Sequence, residues 1–167
     1  LSVIVGLDSN DPAVYEAVRG PGFEEAQSFA GQAVERLGDR CYVQAVRSDL
    51  TEPALPAFYH EWKARTERII IEKYDHFCRR LTDRKIGDIS PIERFPCWHL
   101  ERDLYVMVDG SVPLCREDFR VEEGLGNVFE DGLESVWEAG AGRFADHVQR
   151  RYNGICGECD EYYTFAF

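Results

Sequence analysis

The chain has 167 residues, 44% of them apolar, and its 31 acidic against 19 basic side chains give a formal charge of −12. That is enough apolar material for one substantial core, or for a half-domain beside a small module. The acidic excess argues against a nucleic-acid partner, whose phosphates must be met by clustered Lys and Arg. No run reaches the roughly 18 apolar residues of a membrane helix and no leader pattern opens the sequence, so no membrane association and a cytoplasmic location are expected.

Ser2-Val3-Ile4-Val5-Gly6-Leu7 reads as an apolar strand ending in the loop cluster Asp8-Ser9-Asn10-Asp11-Pro12. From Gly22, the residues Phe23, Ala26, Phe29, Ala30, Ala33, Val34 and Leu37 recur at helical spacing until Gly38 stops the helix. Cys41 to Val46 is a second strand, Pro53 and Pro56 open a helix through Phe58, Tyr59, Trp62 and Thr66, and Ile69-Ile70-Ile71 is a third strand. This alternation predicts parallel strands joined by right-handed crossovers and covered by helices. Three strands make a poor sheet alone, and a buried parallel strand needs neighbours on both edges. The chain therefore reads as a fragment of a longer α/β protein, or as one that self-associates through its first strand.

The charged stretch Arg79 to Asp88 followed by Ser90-Pro91 and Phe95-Pro96 reads as a linker, with a boundary near residue 90 separating a domain over 1–90 from one over 91–167. Beyond it, Leu104 to Val108 and Ser111 to Leu114 flank Asp109-Gly110. That pair is the two-residue signal for a type I′ hairpin with positive φ at both turn positions. Pairing outward from this turn sets Val108 against Ser111 and Leu104 against Cys115. A helix is predicted from Gly132 through Trp137, interrupted at Gly140 and Gly142, reaching Arg151 and ended by Asn153-Gly154. The run Arg143 to Arg151 contains Asp146 and reads as the solvated face of this helix.

Six cysteines in a chain of this type are ligands or buried hydrophobes rather than disulfides. Cys41 and Cys78 have apolar or aromatic neighbours, lie far from the other four, and read as buried structural residues. The others are ordered differently: twelve residues separate Cys97 from Gly110, four separate Gly110 from Cys115, and Cys156 and Cys159 form a C-x-x-C pair. A short loop from Cys97 to Leu104 keeps Cys97 near the hairpin's open end, where Cys115 lies. Four thiolates suit one 4Fe-4S cluster or one zinc ion, and their spacing does not choose between them or exclude unligated thiols. Four cysteines make His99, two residues after Cys97, unnecessary as a ligand. A dithiol redox couple at Cys156 and Cys159 is a third alternative.

Residues from about 95 to 160 resemble the SPASM or twitch extension of radical S-adenosylmethionine enzymes. The resemblance is carried by Cys97, Gly110 and Cys115, the phrases Gly126-Asn127-Val128 and Ser135-Val136-Trp137, and the pair Cys156 and Cys159. It implies an auxiliary 4Fe-4S cluster held by Cys97, Cys115, Cys156 and Cys159, in the one-cluster twitch manner, serving electron transfer or structural support. Residues 1 to 76 resemble the middle strands of that family's barrel. Asp8, Arg19, Gln44 and Arg47 stand at or just beyond predicted strand ends, on the rim that in the family meets S-adenosylmethionine and substrate.

The family's C-x-x-x-C-x-x-C loop is absent, so this chain alone starts no radical chemistry. Arg116 follows the hairpin cysteine where sulfatase-maturing members place a carboxylate base. The expected fold is α/β: a partial parallel βα barrel of about three strands, followed by a small α+β domain with a hairpin and a helix. The expected role is the C-terminal part of a radical S-adenosylmethionine enzyme acting, when whole, on a peptide or small molecule and needing a redox partner. S-adenosylmethionine is expected only in the full-length protein. The alternative is a non-catalytic interaction module with a structural four-cysteine zinc site.

Overall fold

The computed structural model describes residues 1–87 and 92–161, and the chain divides into two compact units. One contains Leu1–Asp75 and the segment beginning at Arg84; the other contains His76–Asp83 and the described remainder of the chain. The expected boundary near residue 90 lies outside the described residues. His76–Asp83, most of which reads in sequence as linker, belongs to the second unit.

The first unit is a parallel sheet ordered β1 (Val3–Gly6), β2 (Cys41–Arg47), β3 (Ile69–Lys73). Val5 pairs with Val43 and Val43 with Ile69, so the expected parallel alternation is present. Three helices connect the strands: α1 (Pro12–Arg19), α2 (Phe23–Leu37) and α3 (Leu55–Lys63). Asp11 and Pro12, read in sequence only as loop, are the N-cap and first residue of α1. The Asp11 carboxylate accepts from the amides of Ala13 (2.8 Å) and Val14 (3.3 Å). One sheet face, with Val5, Leu7, Val43 and Ala45, packs on Ala30, Ala33 and Val34 of α2 and on Phe58 and Trp62 of α3. The opposite face leaves Ile4 56% exposed, whereas parallel sheets are ordinarily covered on both faces.

The second unit contains α4 (His99–Arg102), β4 (Ser111–Val112), β5 (Gly126–Asn127), α5 (Leu133–Val148) and α6 (Ile155–Glu158). The predicted hairpin is corrected here: β4 pairs antiparallel with β5, Ser111 opposite Asn127, and residues 104–108 form no strand. A turn does form at Asp109-Gly110, with the Met107 amide donating to Ser111 O (2.8 Å) and the Gly110 amide to Met107 O (2.9 Å). Of the two turn residues only Gly110 has positive φ (86°), so the geometry is not type I′. The cause is local and tertiary together: the Asp109 carboxylate accepts from the Ser111 amide (3.0 Å), and the Asn127 side chain donates to Asp109 O (3.0 Å). A Cβ at Gly110 would stand 2.4 Å from Phe129 Cδ2, so this position needs glycine for space as well as for φ.

Helix α5 runs unbroken through Gly140 and Gly142 and stops at Val148, short of the predicted Arg151. Its closing turn is satisfied by the Gln149 amide on Asp146 O (3.0 Å) and the Arg151 amide on the same carbonyl (2.9 Å). The C-x-x-C pair lies on and just after the single turn of α6. Among the described residues no helix is long and apolar enough to cross a membrane.

Candidate metal centre

Cys97 immediately precedes the turn into α4, Cys115 follows β4, Cys156 lies in α6, and Cys159 is the C-cap of that helix. All four line one cavity, together with Leu100, Ile155, Arg94 and His147. The structure thus brings together the residues that the spacing singled out. It also brings in a fifth thiol: Cys78, 4% exposed, lines the same cavity as Cys159. His99 is not among the lining residues; its Nδ1 lies 2.5 Å from Asp103 Oδ2.

Polar ties position each cysteine. The Cys97 amide donates to His147 Nδ1 (3.3 Å), which assigns that ring's proton to Nε2. Tyr152 packs edge-on against His147 at 4.8 Å, Arg94 lies 4.2 Å over the Tyr152 ring, and an Arg94 guanidinium nitrogen donates to Cys156 O. Behind Cys115, the fully buried Asp118 carboxylate accepts three backbone N–H groups: Leu114 (3.3 Å), Glu122 (2.8 Å) and Glu123 (3.0 Å). Glu123 in turn accepts from the Ile155 amide (2.6 Å) and pairs with Arg143 (2.7 Å), holding the start of α6. Arg116 spans the buried carboxylates of Glu117 (2.8 Å) and Glu161 (3.0 Å), and the Glu161 amide donates to Cys159 Sγ (3.3 Å).

Burial sets the electrostatics. It pushes the Cys97 and Cys115 thiols above the ordinary thiol range and Cys156 up to about 12, with the neighbouring Cys159 a lesser cause for each. Cys159 goes the other way: the Cys78 thiol donates to it, and the Glu161 amide adds a second bond to its thiolate. Cys78 is raised, first by that same bond and then by burial. Burial, with Arg94 beside it, lowers His147 to about 4, so the imidazole is neutral near pH 7. A metal bound by these thiols would displace their protons. Several converging thiols with apolar walls and an N–H···S bond form a donor set suited to soft, thiolate-binding centres, namely iron-sulfur clusters and zinc.

The four rim residues of the first unit have partners within the chain. Asp8, 1% exposed, takes Arg19 Nε at 2.5 Å and the Val46 amide at 2.7 Å. Gln44 stands in the middle of β2 rather than at a strand end and bonds to Glu72. Arg47, the last residue of β2, forms a two-pronged pair with Glu52 at 2.6 and 2.7 Å.

The sequence reading missed Cys78, Asp118, Glu123, Glu161 and His147. Cys78 sits in a segment resembling that around Cys41, and the carboxylates act through backbone contacts that leave no spacing signature. The Ile155 amide on Glu123, for example, joins positions 32 residues apart.

Thiols gathered around one cavity are the donor set of metal- and cluster-binding domains. Residues 97–160 match the SPASM family, described as an iron-sulfur cluster-binding domain. The resemblance read from the cysteine spacing is thereby borne out for that stretch, which contains Cys97, Cys115, Cys156 and Cys159 and leaves Cys78 outside. A protein of Treponema pallidum (strain Nichols), named only as an uncharacterized protein, is 40% identical over 171 residues, covering 98% of this chain and 48% of its own length. The chain thus spans about half the length of that relative. No solved structure matches the chain.

Proposed function

We propose that Cys97, Cys115, Cys156 and Cys159 hold one 4Fe-4S cluster, and that the chain is the C-terminal part of a radical S-adenosylmethionine enzyme. The observation that carries this reading is the convergence of these four side chains on one cavity within the stretch that matches an iron-sulfur domain. Four thiolates saturate the irons of such a cluster, which supplies outer-sphere electron transfer or rigidity rather than an open coordination site. The chain's own residues hold and exclude: Leu100 and Ile155 keep water out, Arg94 places a cation at the wall, and the Glu161 amide bonds to Cys159 sulfur.

In the first unit, the open sheet with one poorly covered face is what a βα barrel cut to three strands would show. Asp8, Arg19, Gln44 and Arg47 then belong to the half of the whole enzyme that meets S-adenosylmethionine and a peptide or small-molecule substrate. Asp8 and Arg19 fix the turn after β1 through their ion pair.

Zinc is the second reading, favoured by the present cavity volume of about 20 Å³, ample for one ion and narrow for a cluster unless the thiols swing back. Anaerobic reconstitution separates the two. The expected result is about four iron and four sulfide per chain with broad visible absorbance, lost in Cys97→Ala. Colourless protein with stoichiometric zinc would overturn it. A two-electron dithiol couple that survives Cys97→Ala would instead assign Cys156 and Cys159 to redox exchange.

A further inference from the structure

Five thiols surround a centre that four would saturate, and the fifth is held there at a structural cost. Phe77, Cys78 and Arg79 all have left-handed backbone, with φ of 50°, 50° and 63°. Three consecutive residues other than glycine in this region are strained and persist only where surrounding contacts dictate them, as happens at functional sites. The turn is closed by the Leu81 amide on His76 O (3.0 Å), the Arg80 amide on Phe77 O (3.1 Å) and the Arg79 amide on His76 Nδ1 (3.1 Å). Phe77 anchors it edge-on against Phe119 at 5.4 Å.

The turn is stitched to the segment that carries Cys159. His76 Nε2 lies 3.7 Å from Asp160 Oδ2, Arg79 Nη1 lies 3.8 Å from Glu158 Oε1, and between them Cys78 and Cys159 line the same cavity. Residues 76, 78 and 79 thus meet 160, 159 and 158 in antiparallel order. A cysteine buried only to fill space, as Cys41 is in the first unit, would need neither the strained turn nor this register.

We propose that Cys78 and Cys159 share one corner of the cluster site, Cys159 as the resident ligand and Cys78 as an exchangeable fifth thiolate. This rests on the cluster reading above. The exchange would balance without any other reactant: the iron–sulfur bond to Cys159 would break, that to Cys78 would form, and the Cys78 proton would pass to the released Cys159 sulfur. No electron is transferred and the charge of the site is unchanged.

The test is anaerobic reconstitution of the full chain as wild type, Cys78→Ala, Cys159→Ala and the double variant. Iron and sulfide content, and the electron paramagnetic resonance of the reduced form, are measured for each. Both single variants are expected to keep about four iron per chain, and the double to fall to about three or fewer. A resonance shift is expected in Cys159→Ala, where the ligand has changed. Cys159→Ser repeats the test at nearly unchanged side-chain volume, with circular dichroism as the check on folding. Wild type with a full cluster beside a Cys159→Ala variant as depleted as the double overturns the shared corner alone. Loss of the cluster in Cys78→Ala also overturns it, because Cys78 would then be an obligatory ligand. Wild type that takes up no iron overturns the cluster reading and this inference with it.

Discussion

Asp118→Ala removes one carboxylate and leaves three backbone donors without their acceptor, the buried amide of Leu114 and the part-buried amides of Glu122 and Glu123. Each orphaned buried donor costs about 1–3 kcal/mol. The low end applies, because the loop from 114 to 123 can relax and admit water, and the three bonds share one acceptor and so are not independent. The expected destabilisation is about 3 kcal/mol, a large fraction of the 5–15 kcal/mol typical of a domain. Asp118→Asn keeps the shape and one accepting oxygen but turns an amide group toward an N–H, so a loss of about 1–2 kcal/mol is expected. Urea unfolding followed at amide signals of the second unit measures both, with iron retention after desalting as the functional readout. Asp118→Ala unfolding within about 0.5 kcal/mol of wild type and keeping its iron would refute the claim that this carboxylate holds the Cys115 arm in place.

Gly110→Ala should lose about 2–4 kcal/mol, combining left-handed strain with the collision of the new methyl against Phe129 and Asn127, and thermal unfolding reads it directly. Asp109 gives an acid-side prediction: the Ser111 amide holds its carboxyl below the ordinary value of 3.8, so the charged form is favoured in the folded protein. Its contribution is present above that value and lost as pH falls through the lower folded one. Asp109→Asn should therefore flatten the acid limb of the stability curve in unfolding experiments across that range, and an unchanged limb would refute the assignment.

The first unit was legible because its apolar periods change cleanly from two to about 3.6, with Gly22 and Gly38 bracketing α2 as its pattern predicts. The start of α1 was hidden by its own signal, since Asp11-Pro12 serves equally as a loop dipeptide and as a cap with its first helical residue. In the second unit the Asp109-Gly110 turn was readable but its strand partner was not. The Asn127 side chain, 18 positions away, binds the Asp109 carbonyl and commits β4 to β5. Gly140 and Gly142 look like breaks in isolation. Helix α5 nonetheless continues because Gly140 is buried, where an added Cβ would come 3.3 Å from Leu125 and the bare backbone packs closely. Cys78 was the least legible, since no local pattern announces three left-handed residues in a row.

The acidic composition, read first as an argument about partners, is also part of how the site is built. Asp118 and Glu161 are buried and Glu123 is half-buried, and each is spent on tying one cysteine-bearing segment to another. Asp118 bonds the Leu114 amide, next to Cys115, and the Glu123 amide; the Glu123 side chain bonds the Ile155 amide, next to Cys156. Arg116, next to Cys115, reaches Glu161, whose amide meets Cys159. Apolar contacts from Leu100, Leu114 and Ile155 fill the space between sulfurs but impose no direction on them, since dispersion is nearly isotropic. Hydrogen bonds at fixed length do impose direction. The placement of Cys115, Cys156 and Cys159 therefore depends on these carboxylates more than on the core around them, and Glu123→Gln should loosen metal retention although it touches no sulfur.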